Sequence, residues 1–287
     1  MVRGPLPYLL SESRMAKAFS VVSWNCEHWK ENDPRNTDRI DFLVSQKADV
    51  IALYEVEGAE VWRSVMAGLP GYSFFITEGQ NTQEILVGIG PDVTGFLTQK
   101  IEFQSRDAFM RPGAFLTVRA DGTDYSMLFL HLASMPDARG FGLRTDMIER
   151  AFEFKKHLDD LVKGNANFMF MGDMNVMGLD YVYGKDGANL LHDRVTAEDE
   201  MAALAYRAGK AGMRVLSKSA DFTWHGGGKM RSNLDHVVAG DQIEFEQIGG
   251  KDVEVRGWPQ HPDAEQEAWV EKFSDHALLY FELSKAN

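Results

Sequence analysis

Four short apolar runs constrain this chain most: Ala18–Trp24 (AFSVVSW), Asp49–Tyr54 (DVIALY), Tyr125–Leu132 (YSMLFLHL) and Asn167–Met171 (NFMFM). Runs of this length, rich in β-branched and aromatic residues and bounded by charge or turn residues, are the mark of strands buried in a sheet. Strands covered on both faces need helices outside them, and segments with apolar residues three and four apart supply these. They are Asp33–Ala48, Glu57–Leu69, Gly142–Lys163 and Thr196–Ala208; in the third, Leu143, Met147, Ala151, Phe154, Leu158 and Leu161 share one face. Between Tyr72 and Leu132 the segments YSFFIT, EILVGIG, QKIEF, GAFLTVRA and YSMLFLHL, separated by turn residues, predict an antiparallel meander. Further strands are expected around Phe222–Trp224, Leu234–Val238, Val253–Val255 and Ala277–Leu283. No repeat, low-complexity linker or charge block divides the chain, so the expectation is one α/β domain over residues 15–287. Two packed mixed β-sheets flanked by helices would form it. Residues 1–14 read as a tail outside the fold, because Met15 stands directly before the first strand and the segment has no signal-peptide pattern.

Charge narrows the partners. Of the 287 residues 43 are acidic and 30 basic, a formal net charge of −13, so a broad basic footprint for a polyanion is missing and any phosphate-rich partner must be gripped locally. A single cysteine, Cys26, permits no internal disulfide and calls for no oxidising compartment. No run of ~18 apolar residues spans a bilayer. A cytoplasmic location, no membrane insertion and no obligate protein partner are expected.

The chemistry is written where apolar strands end in polar residues. Strand ends are rigid and meet solvent, and here they carry Asn25-Cys26-Glu27-His28, Tyr54-Glu55, His131, Gly172-Asp173-Met174-Asn175, Asn233-Leu234-Asp235-His236 and Ser274-Asp275-His276. Singly, each Asp or Asn reads equally as a turn former or helix cap, and His131 as a hydrogen-bonded structural histidine. Together they form a set of oxygen donors and imidazoles. Oxygen donors suit Mg²⁺ or Mn²⁺, the cysteine count excludes a zinc ribbon, and His28, His225 and His236 lack zinc-ligand spacing. A phosphodiester is anionic and resists water, so its hydrolysis needs a cation on its oxygens, an activated water in line and help for the leaving alkoxide.

In order and spacing, Asn25, Glu55, His131, Asp173-x-Asn175, Asp235 and Ser274-Asp275-His276 resemble the endonuclease/exonuclease/phosphatase family over essentially Phe19–Leu283. That family includes pancreatic-type deoxyribonucleases, apurinic endonucleases, sphingomyelinases and inositol-polyphosphate phosphatases. The resemblance implies a four-layered α/β sandwich and metal-dependent phosphoester hydrolysis. It casts Glu55 as the main metal ligand, Asn25 as support for metal and phosphate, Glu27 as a second ligand and Asp275 as a member of the metal shell. Asp173 would orient or deprotonate the attacking water, with Asn175 donating to the phosphate. His276 would contact the scissile phosphate, oriented by Asp235. His131 resembles the second catalytic histidine of the deoxyribonuclease and sphingomyelinase branches. Two positions depart from the pattern: Tyr54 replaces the usual Gln before the glutamate, and Asn233 stands where many members have Arg.

Arg111 and Arg144 are each candidates for phosphate contact or for a structural ion pair. Trp224 reads as a core or rim tryptophan or as a base-stacking surface, and the acidic stretch His261–Glu271 as a solvated face. The expected function is a divalent-metal-dependent phosphodiesterase, a nuclease on DNA or RNA using Mg²⁺ or Mn²⁺. Its alternatives are a phosphoesterase on a small or lipid phosphoester and a catalytically silent binding module.

Overall fold

The computed structural model describes residues 17–57, 61–79, 83–104, 111–183 and 191–285; the tail expected over residues 1–14 lies outside them. The chain begins with β1 (Lys17–Trp29), α1 (Asn36–Gln46), β2 (Val50–Glu57), α2 (Val61–Gly68), β3 (Ser73–Ile76) and β4 (Gln83–Ile89). It continues through β5 (Thr94–Lys100), β6 (Gly113–Ala120), β7 (Thr123–His131), the long α3 (Ala138–Val162) and β8 (Phe168–Asp173). Then come β9 (Leu179–Tyr183), β10 (Leu191–Val195), α4 (Ala197–Lys210), β11 (Met213–Val215), β12 (Trp224–His225) and β13 (Arg231–Ser232). The last elements are β14 (Asp235–Gly240), β15 (Glu254–Arg256), α5 (Asp263–Lys272) and β16 (Leu278–Ser284).

Twelve of these strands form two six-stranded sheets, ordered β15-β16-β1-β2-β4-β3 and β11-β14-β8-β7-β6-β5. In each, the middle pair is parallel (β1 with β2, β7 with β8) and every other neighbouring pair is antiparallel. The two sheets therefore correspond position by position: β1 with β8, β2 with β7, β16 with β14.

Side-chain alternation sorts the second sheet into two cores. Met127, Phe129, Met169, Met171, Val237 and Ala239 pack in one cluster with the first sheet. Leu128, Leu130, Phe168, Phe170 and Val238 pack instead on Met147, Ile148 and Ala151 of α3 and Leu204 and Ala208 of α4. On the far side of the first sheet, the Trp24 ring meets Phe42 of α1 at 5.5 Å, and Phe42 meets Trp269 of α5 at 5.6 Å. Helices thus cover both outer faces, and the architecture is the four-layered α/β sandwich.

The meander expected over Tyr72–Leu132 divides between the sheets. β3 and β4 extend the first sheet beyond β2, while β5, β6 and β7 form the antiparallel run of the second. Periodicity marks a strand but not which open edge it joins. QKIEF does not form a strand of its own: β5 ends at Lys100, and Ile101–Gln104 turn as a 3-10 helix that buries Phe103. α3 starts earlier than its apolar spacing indicates, capped by Asp137, whose carboxylate accepts from Gly140 N at 2.7 Å. The acidic stretch His261–Glu271 contains most of α5, which buries Gln266 and Trp269 and exposes its acids. Among the described residues no helix is long and apolar enough to cross a membrane.

Candidate active site

Residues at or near the ends of six strands converge around one cleft of roughly 400 Å³. His131 ends β7, Asp173 ends β8 and Asp235 begins β14, and the strand register sets the three side by side. From the first sheet come Asn25 of β1, Glu55 of β2 and His276, two residues ahead of β16. Here the ladder is interrupted, between Asn25 and Trp29 on one side of β2 and between Leu53 and Val56 on the other. Glu27, His28 and Glu55 take positive φ angles of 48°, 52° and 59° at these irregularities. Bulges re-aim side chains, and left-handed non-glycine residues persist where tertiary structure holds them. On the opposite sheet Gly172 (φ 139°) is required: a Cβ there would lie 2.0 Å from the Leu130 carbonyl oxygen and 2.9 Å from the Tyr54 ring.

The side chains meet across the two sheets, and corresponding positions meet each other. Asn25 Nδ2 donates to Asp173 Oδ2 at 2.9 Å and to Glu55 Oε1 at 3.2 Å. His276 Nδ1 lies 2.8 Å from Asp235 Oδ2, and its Nε2 3.7 Å from Asp173 Oδ2. His131 Nε2 lies 3.6 Å from Glu55 Oε1 and 3.5 Å from Asp173 Oδ2. Asp173 Oδ1 accepts from Asn175 N at 3.0 Å, while Asn175 Nδ2 donates to the Leu132 carbonyl at 3.1 Å. Asp173, His131 and Asp235 are 2–3% exposed and His276 is 5% exposed, so these charges act in a low-dielectric pocket.

Burial disfavours the charged form of each group, and neighbours then decide. Burial raises the Asp173 carboxyl above the usual range, Asp235 and Glu55 adding to the effect while His276 and the Asn25 hydrogen bond oppose it. For His276 burial acts downward, but Asp235 and Asp173 outweigh it and hold the proton to higher pH. His131 faces no such compensation: burial, then Arg111, pushes it well below the ordinary histidine value, and the ring is neutral.

The remaining predicted residues fall differently. Glu27 lines the cleft but its carboxylate is engaged by Arg35 Nη1 at 2.5 Å. Asp275 also lines it; Oδ2 accepts from Trp224 Nε1 at 2.8 Å, and Oδ1 is buried with no hydrogen-bond partner. Neither belongs to a trio of ligand atoms within 4.8 Å of one another; among the described residues those trios are Glu55–His131–Asp173 and Asp173–Asp235–His276. Arg111 sits in the cleft, its Nε donating to the Gln83 carbonyl at 3.2 Å, and Glu55 and Asp173 act on its charge. Arg144, a candidate phosphate contact, is instead the structural ion pair. It is fully buried, pairs with Glu200 at 2.9 and 3.1 Å, and donates to the carbonyls of Ala133, Met135 and Gly178. Trp224 lines the cleft while holding Asp275.

Sequence reasoning missed the supports. The Thr223 hydroxyl accepts from both Leu234 N and Asp235 N at 3.0 Å, fixing the start of β14. Lys218 Nζ donates to Asn233 Oδ1 and, at 2.6 Å, to the Asp235 carbonyl, and burial pushes this lysine down to about 7. A lysine amine therefore stands beneath Asn233, supplied from a distant segment. Tyr54 fills the space between the sheets, its hydroxyl 3.0 Å from Ser23 Oγ and its ring edge-on to His131. His28 and Gln83 also line the cleft. A signal existed for His28 and Tyr54, which stand within strand-end blocks.

No protein-family model matches the chain, and no curated protein matches it. Solved structures do match. D. rerio TDP2, humanized by 14 mutations, aligns with a TM-score of 0.64 at 16% identity, covering 93% of this chain and 99% of that one. The 3′ phosphatase NExo from Neisseria, bound to a product DNA hairpin, gives 0.57 at 14% identity over 93% and 100% of the two chains. An endonuclease/exonuclease/phosphatase family protein from Bacteroides thetaiotaomicron gives 0.55 at 12% identity over 94% and 98%. The chain has the fold of these endonuclease/exonuclease/phosphatase structures.

Proposed function

We propose that this chain is a divalent-metal-dependent phosphodiesterase acting on DNA or RNA, its described sheets and helices working as one catalytic unit. The observation that carries the reading is the meeting of Glu55, His131, Asp173 and His276 from two sheets in one cleft, with Asn25 and Asp235 hydrogen-bonded behind them. The donor set fits a divalent cation: carboxylate oxygens gather within 4.8 Å, and the buried Asp275 Oδ1 lacks a hydrogen-bond partner. Glu55 would hold the cation with Asn25 beside it, and the cation would supply neutralisation of the phosphate oxygens.

The protein's own groups account for the rest. Asp173, its carboxyl raised by burial, is suited to orient a water and accept its proton. His276, kept protonated and aimed by Asp235, faces the phosphate and steadies the charge that develops there. The Arg111 guanidinium, bound through Nε alone among the described residues, has its terminal nitrogens for a phosphate oxygen. Asn175 holds the Asp173 carboxylate through its backbone NH. The DNA products held by NExo and by the D. rerio TDP2 structure with single-strand DNA favour nucleic acid as the substrate.

The test is hydrolysis of plasmid DNA, oligonucleotides and bis-nitrophenyl phosphate with Mg²⁺ or Mn²⁺, with inositol-phosphate and sphingomyelin substrates alongside. Cleavage of the nucleic acids, reduced at least ~100-fold by Asp173→Ala, is expected. No hydrolysis of any phosphodiester, with no difference between wild type and variant, sinks the proposal.

A further inference from the structure

We propose that His131 is a ligand of the cation, so that the site selects Mn²⁺ and similar first-row transition ions over Mg²⁺. This rests on the metal-dependent reading above and specifies its cofactor.

The separations point to it. His131 Nε2 stands 3.6 Å from Glu55 Oε1 and 3.5 Å from Asp173 Oδ2, both beyond a hydrogen bond. A ring carrying its proton on Nε2 would close on one of these carboxylates. With the proton on Nδ1, the Nε2 lone pair would face two carboxylate oxygens, each already accepting from Asn25 Nδ2, and a cation between the three acceptors would stabilise the arrangement. The three atoms lie within 4.8 Å of one another. Ligands about 2.1 Å from one ion are about 3.0 Å apart at octahedral angles and about 3.4 Å apart at tetrahedral ones, so the His131 separations of 3.6 and 3.5 Å lie within about half an ångström of either shell.

His131 is free for this task and His276 is not. His131 Nδ1 is buried without a hydrogen-bond partner, so no protein group fixes the tautomer, and a cation on Nε2 would fix it. The ring is 3% exposed and braced edge-on by Tyr54 at 6.2 Å, which holds Nε2 toward the other two atoms of the trio. In the other trio, His276 Nδ1 and Asp235 Oδ2 are hydrogen-bonded at 2.8 Å and leave no room for an ion between them. Mg²⁺ favours all-oxygen shells and dehydrates reluctantly, whereas first-row transition ions accept an imidazole nitrogen beside carboxylates with an affinity that rises from Mn²⁺ through Co²⁺, so even Mn²⁺, the weakest of them, gains over Mg²⁺ from His131.

The test uses metal alone, without substrate. Calorimetric titration of the full chain with MnCl₂ and MgCl₂ should give at least about tenfold tighter binding of Mn²⁺. Electron spin-echo envelope modulation on the Mn²⁺-loaded protein should show nitrogen coupling. His131→Ala and the closer-sized His131→Gln, each checked for fold by circular dichroism, should lose that coupling and most of the Mn²⁺ preference, while His276→Ala keeps both. Binding of Mn²⁺ with no nitrogen coupling, or coupling that survives in both folded His131 variants, overturns the assignment of His131 and leaves the phosphodiesterase reading standing. If neither ion binds, both fall.

Discussion

The imidazole of His276 sits between two carboxylates, 2.8 Å from Asp235 and 3.7 Å from Asp173, and their charges outweigh the effect of burial on its proton. A histidine whose folded value is raised keeps its proton above the ordinary range and loses it only as pH climbs through the raised value. Replacing Asp235 by Asn preserves a hydrogen-bond acceptor but removes the charge, so burial pulls the imidazolium down. The alkaline limb of the kcat profile should then move to lower pH, and kcat should fall by about 100- to 10,000-fold. Mn²⁺ affinity measured without substrate should hardly change, since Asp235 is turned to His276. Steady-state rates across pH with parallel metal titrations check both parts. These groups were legible in the sequence because each ends or begins an apolar run at a recognisable spacing. Thr223 and Lys218 were not: what they do depends on strand-end groups 12 and 17 residues away that fold back onto them. Arg144 remained ambiguous for the same reason, because only tertiary structure sets Glu200 beside it, 56 residues on.

At the scale of elements, α3 is tied down by one guanidinium. Arg144 joins the helix to Glu200 of α4, to two carbonyls after β7 and to Gly178, whose own NH donates to Glu200 at 2.8 Å. Removing one partner from such a buried pair strands the other charge, a loss of about 3–5 kcal/mol. Arg144→Ala should therefore lower the unfolding free energy measured by chemical denaturation by that amount, while the protein that remains folded keeps its Mn²⁺ affinity. If Arg144 were a phosphate contact, binding would suffer and stability would not. The helices themselves were plain from three- and four-residue spacing, and the buried strands from composition. What the pattern left open was allegiance: β3 and β4 carry the same signature as β5 and β6 yet belong to a different sheet, because hydrogen-bonding edges are filled by whatever strand can reach them.

For the molecule as a whole, the net charge of −13 sets how it meets a polyanion. Each phosphate neutralised contributes about −0.9 to the slope of log K against log salt, and proteins with wide basic footprints reach six to ten such contacts. Here Arg111 is the one arginine lining the cleft among the described residues, and acidic groups surround it. Binding of a labelled oligonucleotide by His276→Ala, with Ca²⁺ in place of the catalytic ion, should show a slope between about −1 and −2. A slope of about −6 would reveal a basic track that the fold does not display. A phosphate held locally thus makes binding depend only weakly on ionic strength.

The correspondence of the two sheets has a consequence in time. Asn25 meets Asp173, Glu55 faces His131 and Asp235 holds His276, each pair drawn from equivalent strands of opposite sheets. One member of the last pair arrives just ahead of β16, and the His276 carbonyl accepts from Trp24 Nε1 across 252 positions of chain. Until that final strand has been made and has docked beside the first, no order of folding can complete the set. The site would therefore be complete only when the two ends of the fold have closed.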